Sequence, residues 1–238
     1  MQAYPIHHAS RIIILSVFTQ MFEKHLIVRE RNLPAMNRRL LLLVAAAVVA
    51  VAAGAFAAYT MRTLSSGYKP PIEIPGEKVL PDFRLTDQNG QPFTLSSIRG
   101  KKAVLIYFGY THCPDVCPAV LSKFSKTIST LGSKADNVAF LFVTVDPERD
   151  TPSALKKYLS YFSDKILGLT GSAEEVANVL KLYNIYAYKH PPDEKGNYLV
   201  DHYALVLGAD RNHVLRIGLT FEMPADEYVE AVKWLLSK

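Results

Sequence analysis

The stretch KKAVLIYFGYTHCPDVCPAV, residues 101–120, runs from two lysines through an apolar segment to two cysteines and the start of a helix. Its apolar part, Ala103–Phe108, is continuous rather than alternating. That is the pattern of a strand covered on both faces at the centre of a parallel sheet. Just downstream, PAVLSKFSKTISTL sets Val120, Leu121, Phe124, Ile128 and Leu131 on one face, which predicts a helix from about Pro118 to Leu131. A second apolar run, Val138–Asp146, predicts another buried strand. TPSALKKYLSYF then starts a helix with Pro152 in its first turn. Ser172 followed by Glu175 has the form of a capping box before a further helix. DHYALVLGAD and HVLRIGL read as a closing pair of strands, and PADEYVEAVKWLLSK as a terminal helix. Upstream, DFRLTDQNGQPFTL predicts an N-terminal β-hairpin turning at Asn89-Gly90. This order of elements predicts an α/β fold with a central sheet flanked by helices. In such sheets, reactive groups gather beyond the carboxyl ends of the strands, where Cys113 and Cys117 fall.

The remainder of the 238-residue chain divides around this core. The net charge is +5, but from Lys78 onward 19 Lys and Arg face 18 Asp and Glu, which excludes a nucleic-acid footprint on the folded part. The excess lies upstream, where Arg29, Arg31, Arg38 and Arg39 precede the uncharged run Leu40–Met61. Twenty helical residues rise about 30 Å, the thickness of a bilayer core, so the run predicts a single N-terminal transmembrane helix. A signal peptide cleaved at Ala55–Ala57 is the rival reading. The positive-inside rule places residues beyond 62 outside the cytoplasm. The expected division is therefore an extension over 1–35, disordered or upstream of a start at Met36; a membrane anchor over 36–62; a Pro- and Gly-rich linker over 63–78; and a globular domain over 79–238.

Two cysteines three residues apart admit several chemistries. A structural disulfide is the plain one, although a bridge closing so short a loop removes little entropy from the unfolded chain. A second is a redox pair. A third is a metal clamp: in a helical turn this spacing puts both sulfurs on one face, near a helix N-terminus that favours thiolate. Soft thiolates select Cu(I), zinc or iron–sulfur clusters. With no other cysteine in the chain, a four-cysteine site is excluded, and the missing donor for a copper site is an imidazole. Of seven histidines, His112 adjoins Cys113, whereas His190 and His213 occupy loop-like stretches whose default is solvated surface. His202 opens the strand expected to end near the cysteines, a place more often structural than metal-binding. Asp201 beside it is either its orienting partner or a strand-edge charge.

FGYTHCPDVCP, VTVDPERDTP and VDHYALV, in that order and spacing, resemble the Sco/SenC family of copper-binding, thioredoxin-like proteins across roughly Val79 to Trp234. The resemblance implies a thioredoxin-like fold holding one copper, Cu(I) or Cu(II), through Cys113, Cys117 and His202. It also implies a metallochaperone that delivers copper to, or reduces the cysteines of, the binuclear copper A centre in cytochrome c oxidase subunit II. A copper donor and a thiol reductant are further implied partners. The alternative is a thiol–disulfide oxidoreductase using Cys113 and Cys117 as a catalytic pair without copper transfer. The implied location is the bacterial inner membrane with the domain in the periplasm, or the mitochondrial inner membrane facing the intermembrane space. Two departures stand out: Tyr203 follows the histidine where a small residue is expected, and GADRNHVL lacks a glycine in the last turn.

Overall fold

The computed structural model describes residues 38–64 and 68–238. In chain order the helices are α1 (Arg38–Leu64), α2 (Val116–Leu131), α3 (Pro152–Leu159), α4 (Ala173–Leu182) and α5 (Ala225–Leu236). The first strands are β1 (Arg84–Asp87), β2 (Pro92–Thr94), β3 (Ala103–Gly109), β4 (Val138–Thr144) and β5 (Ile166–Thr170). Then follow β6 (Ala187–Lys189), β7 (Val200–His202), β8 (Leu205–Ala209) and β9 (Leu215–Thr220). Seven strands form one sheet in the order β2-β1-β5-β4-β3-β8-β9, and β6 pairs with β7 in a separate ribbon.

Every residue of β3 is buried, as its continuous apolar pattern requires. It pairs in parallel with β4, Ala103 opposite Val138 and Gly109 opposite Thr144, and antiparallel with β8 on its other side. Burying each of its large side chains is worth roughly 1.5–3 kcal/mol, which makes β3 the axis of the core. Helix α2 begins two residues earlier than its periodicity suggested. It buries Val120, Leu121, Phe124, Ile128 and Leu131 as read, and Cys117 and Thr127 with them. Thr151 caps α3 with Pro152 at its first position, and Ser172 with Glu175 completes the capping box of α4. β1 and β2 pair antiparallel about a turn in which Gly90 has φ 77, a left-handed conformation without strain for glycine. The outer edge of β9 is covered by the segment ahead of the hairpin. Ile74 N donates to Arg216 O at 2.7 Å, Gly218 N to Ile72 O at 3.1 Å and Leu80 N to His213 O at 2.8 Å. An otherwise open strand edge is thus protected from pairing with another chain.

The structure differs from the sequence reading in three places. DHYALVLGAD is not one strand but two short ones, with a break at Tyr203 and Ala204. A continuous strand has a period of two, and would point His202 to the same face as Val206, which is fully buried. The break releases His202 from that constraint, so it closes β7 rather than opening a strand of the main sheet. His213, expected on solvated surface, is buried. It sits at φ 61 in the turn that lacks a glycine, and burial lowers its pKa. The third difference concerns the membrane. A helix does form over the apolar run, yet among the described residues no helix is long and apolar enough to cross a membrane. The expected single-pass location in a bacterial or mitochondrial inner membrane is accordingly withdrawn. The expected extension over 1–35 and the start at Met36 lie outside the described residues. The residues from 68 onward belong to one compact unit and α1 to another.

Candidate metal centre

The chain leaves the carboxyl end of β3 at Gly109, turns through Tyr110–Asp115 and enters α2 at Val116. Cys113 lies in the turn and is half-buried, whereas Cys117 lies in the first turn of α2 and is fully buried. Both are free thiols. The backbone N–H of Cys117 points at Cys113 Sγ at 3.5 Å. Across the cleft, His202 Nε2 lies 3.5 Å from Cys117 Sγ. The two sulfurs and an imidazole nitrogen all fall within 4.8 Å of one another, the only such group of three among the described residues. One ion about 2.3 Å from each donor sits among ligands no more than about 4.6 Å apart, so the three can close on a single metal with a small adjustment.

Sequence reasoning on the other histidines is settled by position. His112 is exposed, its Nδ1 3.0 Å from Thr111 Oγ1, and it does not join the group. His190 pairs with Asp201 at 2.8 Å, so Asp201 orients His190 and not His202. His202 Nδ1 instead faces the carbonyl of Tyr203 at 3.4 Å. The Tyr203 side chain is exposed.

The electrostatics divide the two sulfurs. Cys117 donates to Cys113 and keeps the proton, which together with burial raises its pKa. Cys113 is driven the other way, down to about 3. The Cys117 hydrogen bond is the main cause, reinforced by His202 and by the backbone N–H groups of Asp115 and Cys117 against the opposing effect of burial. The pair therefore shares one proton, with the negative charge on the more accessible sulfur.

Several residues that hold this geometry lie in VTVDPERDTP, which the sequence reading took as a motif without separate duties for its members. Asp150, buried, accepts from Thr111 Oγ1 at 2.6 Å and from the Thr111 backbone at 3.1 Å, and from Thr144 Oγ1 at 2.7 Å. It thereby pins the cysteine turn to the end of β4. Desolvation raises its pKa. Asp146, four residues earlier, accepts from Arg149 Nε at 2.5 Å and from Tyr198 OH at 2.8 Å. Arg149 also donates to Tyr198 O at 3.0 Å and stacks 3.5 Å from that ring's centre. The Val200 N–H donates to Tyr110 OH at 3.2 Å, and the Tyr110 ring meets His202 edge-on at 5.7 Å. VTVDPERDTP thus works from both ends, one aspartate fastening the cysteine turn and the other, through Arg149, fastening the ribbon that carries His202. Gly109 was missed. A Cβ there would lie 2.8 Å from Cys117 Sγ and 2.9 Å from the Phe142 ring, so the absence of a side chain makes room for the sulfur.

Comparison with known proteins gives matches across most of this domain. A family model described as SCO1/SenC matches residues 73–237. An SCO2-like protein of Rickettsia conorii is 36% identical over 171 residues, covering 69% of this chain and 83% of that protein. The copper-bound structure of ScoI from Bradyrhizobium japonicum is 42% identical, covering 67% of this chain and 100% of that one with a TM-score of 0.62. The copper-bound structure of ScoI from Arabidopsis thaliana is 31% identical, covering 67% and 99% respectively, also with a TM-score of 0.62. These matches carry the mixed α/β architecture as a thioredoxin-like fold.

Proposed function

This chain belongs to the SCO1/SenC family, and on that premise we propose that residues 79–238 bind one copper ion through Cys113, Cys117 and His202 and pass it to a copper-receiving protein. The observation that carries the proposal is the convergence of two sulfurs and one imidazole nitrogen within 4.8 Å, from a turn, a helix start and a separate ribbon. The donor set suits copper in particular. Two thiolates favour Cu(I), and an added imidazole keeps the site serviceable for Cu(II). Copper here is cargo, so the site must release as well as hold it. Cys113 at the rim is the sulfur a partner's thiolate reaches first, and buried Cys117 is the last to let go. The receiving protein we propose is cytochrome c oxidase subunit II, at its binuclear copper A centre.

The second reading, reduction of a partner's disulfide, is favoured by the Cys113 thiolate, since thiolate is the attacking species in exchange. The two roles compete for the same sulfurs, because a Cys113–Cys117 disulfide leaves neither thiolate to bind metal. His202 separates them. In a His202→Ala protein, copper transfer to a purified copper A domain should fall at least tenfold, while the rate at which the reduced pair opens that domain's disulfide stays within threefold of the parent. Equal loss of both activities would show that one mechanism needs all three residues. Undiminished copper transfer would remove His202 from the site.

A further inference from the structure

Strand β3 carries one polar group into the core, the hydroxyl of Tyr107. The residue is fully buried, and a buried phenol must find a partner. Its partner, the only one among the described residues, is Cys117 Sγ at 3.5 Å. The ring is fixed from two further sides: Phe142 packs at 6.1 Å between centres, and His202 presents its ring edge-on at 6.1 Å. Gly109, two residues on and facing the same side of the strand, leaves the space that lets Cys117 Sγ approach.

We propose that Tyr107 sets the redox poise of the Cys113–Cys117 pair, its hydroxyl donating to Cys117 Sγ and holding the pair in the reduced form that binds metal. The proposal deepens the copper-clamp reading and rests on it for its purpose, but its chemistry concerns the metal-free protein. A neutral sulfur is a weak acceptor and a thiolate a strong one, so a hydrogen bond strengthens as charge gathers on its acceptor. Consider reduction by a small-molecule thiol RSH. Its thiolate attacks Sγ of Cys113, the more exposed sulfur, forming a mixed disulfide. The Cys113–Cys117 bond breaks and its electron pair leaves on Cys117, where the Tyr107 hydroxyl meets the new negative charge until a proton arrives. A second RSH, as thiolate, attacks the mixed disulfide and releases Cys113. In sum, one protein disulfide and two RSH become a Cys117 thiol, a Cys113 thiolate, one proton released to water and RSSR. The hydroxyl favours the product side because there it heads a chain, from Tyr107 O–H to Cys117 S–H to the Cys113 sulfur, that the bridged form cannot make.

The test is Tyr107→Phe, which keeps the ring and removes one oxygen. The metal-free parent and variant are equilibrated in glutathione buffers of fixed ratio, and the thiol fraction is read by alkylation and mass. The control is Tyr183→Phe, which removes a hydroxyl bonded to Pro81 O at 2.7 Å. The variant's equilibrium should move about tenfold toward the disulfide, about 30 mV for this two-electron couple, with the control unmoved. A shift below twofold, or the same shift in the control, would overturn the proposal. Since no copper enters the measurement, its failure is distinct from failure of the clamp, which copper loading of the parent decides separately.

Discussion

In the reduced, metal-free protein, Cys113 should react with iodoacetamide almost as fast at pH 5 as at pH 8, while Cys117 stays unmodified. The reason is the division of one proton between two sulfurs. The Cys117 hydrogen bond, chiefly, brings Cys113 down to about 3, and its thiolate is therefore fully present across that range. An ordinary thiol, titrating near 8.5, gains about a thousandfold in thiolate between the same two pH values. The sign follows directly. Reactivity at Cys113 is lost only as pH falls toward 3, not as it falls below neutrality. Burial and the retained proton protect Cys117 at every pH in the range. Cys117→Ala removes the principal cause, so in that variant the rate at Cys113 should climb steeply above pH 5. A hundredfold rise in the parent over the same interval would refute the shared-proton account.

Gly109→Ala should both destabilise the domain and disturb the cysteine pair. The new Cβ would lie 2.8 Å from Cys117 Sγ, 2.9 Å from Phe142 Cε2 and 3.0 Å from Tyr107 Cε1. The obstacles are two rings locked in the core and a sulfur at a helix start, none of them the loose end of a flexible chain. Overpacking of this kind costs about 1–3 kcal/mol, and what yields is either the core or the sulfur. Both are read together, as a lowered denaturant midpoint and weakened copper retention. Gly218→Ala provides the contrast. Its nearest neighbours are the methyls of Leu205 at 3.3 and 3.4 Å, which can rotate aside, and Gly218 is remote in sequence from the cysteine turn. Gly218→Ala should change stability little and copper retention not at all. Equal effects from the two substitutions would show that Gly109 has no special relation to Cys117.

The strand-to-helix passage from β3 into α2 was legible because both periodicities were strong and the cysteines fell at their junction. His202 was a different case. Its residue type and spacing gave only a structural histidine, and the family resemblance singled it out. The break after β7 that turns it toward the sulfurs carries no mark as plain as a glycine or a proline. Tyr107 and Gly109 read as ordinary members of a buried strand, because their importance lies in what stands across from them and not in their neighbours. Asp146, Arg149 and Asp150 were visible as a motif, but their separate duties depend on contacts 39 to 52 residues distant along the chain. His213 misled because its polar surroundings in sequence are a turn, while in space the segment leading to Leu80 lies across it. The apolar run was read over its full length as a span, whereas among the described residues no helix is long and apolar enough to cross a membrane.

The central claim is that one copper sits between Cys113, Cys117 and His202. The most direct measurement is copper per chain after reducing the thiols, loading with Cu(I) without oxygen and removing loosely held metal. The parent should retain one equivalent, the Cys113→Ser, Cys117→Ser double variant none, and His202→Ala should retain it with at least tenfold weaker affinity against a competing chelator. A folded, reduced parent that holds no copper, or a double variant that holds as much as the parent, would contradict it.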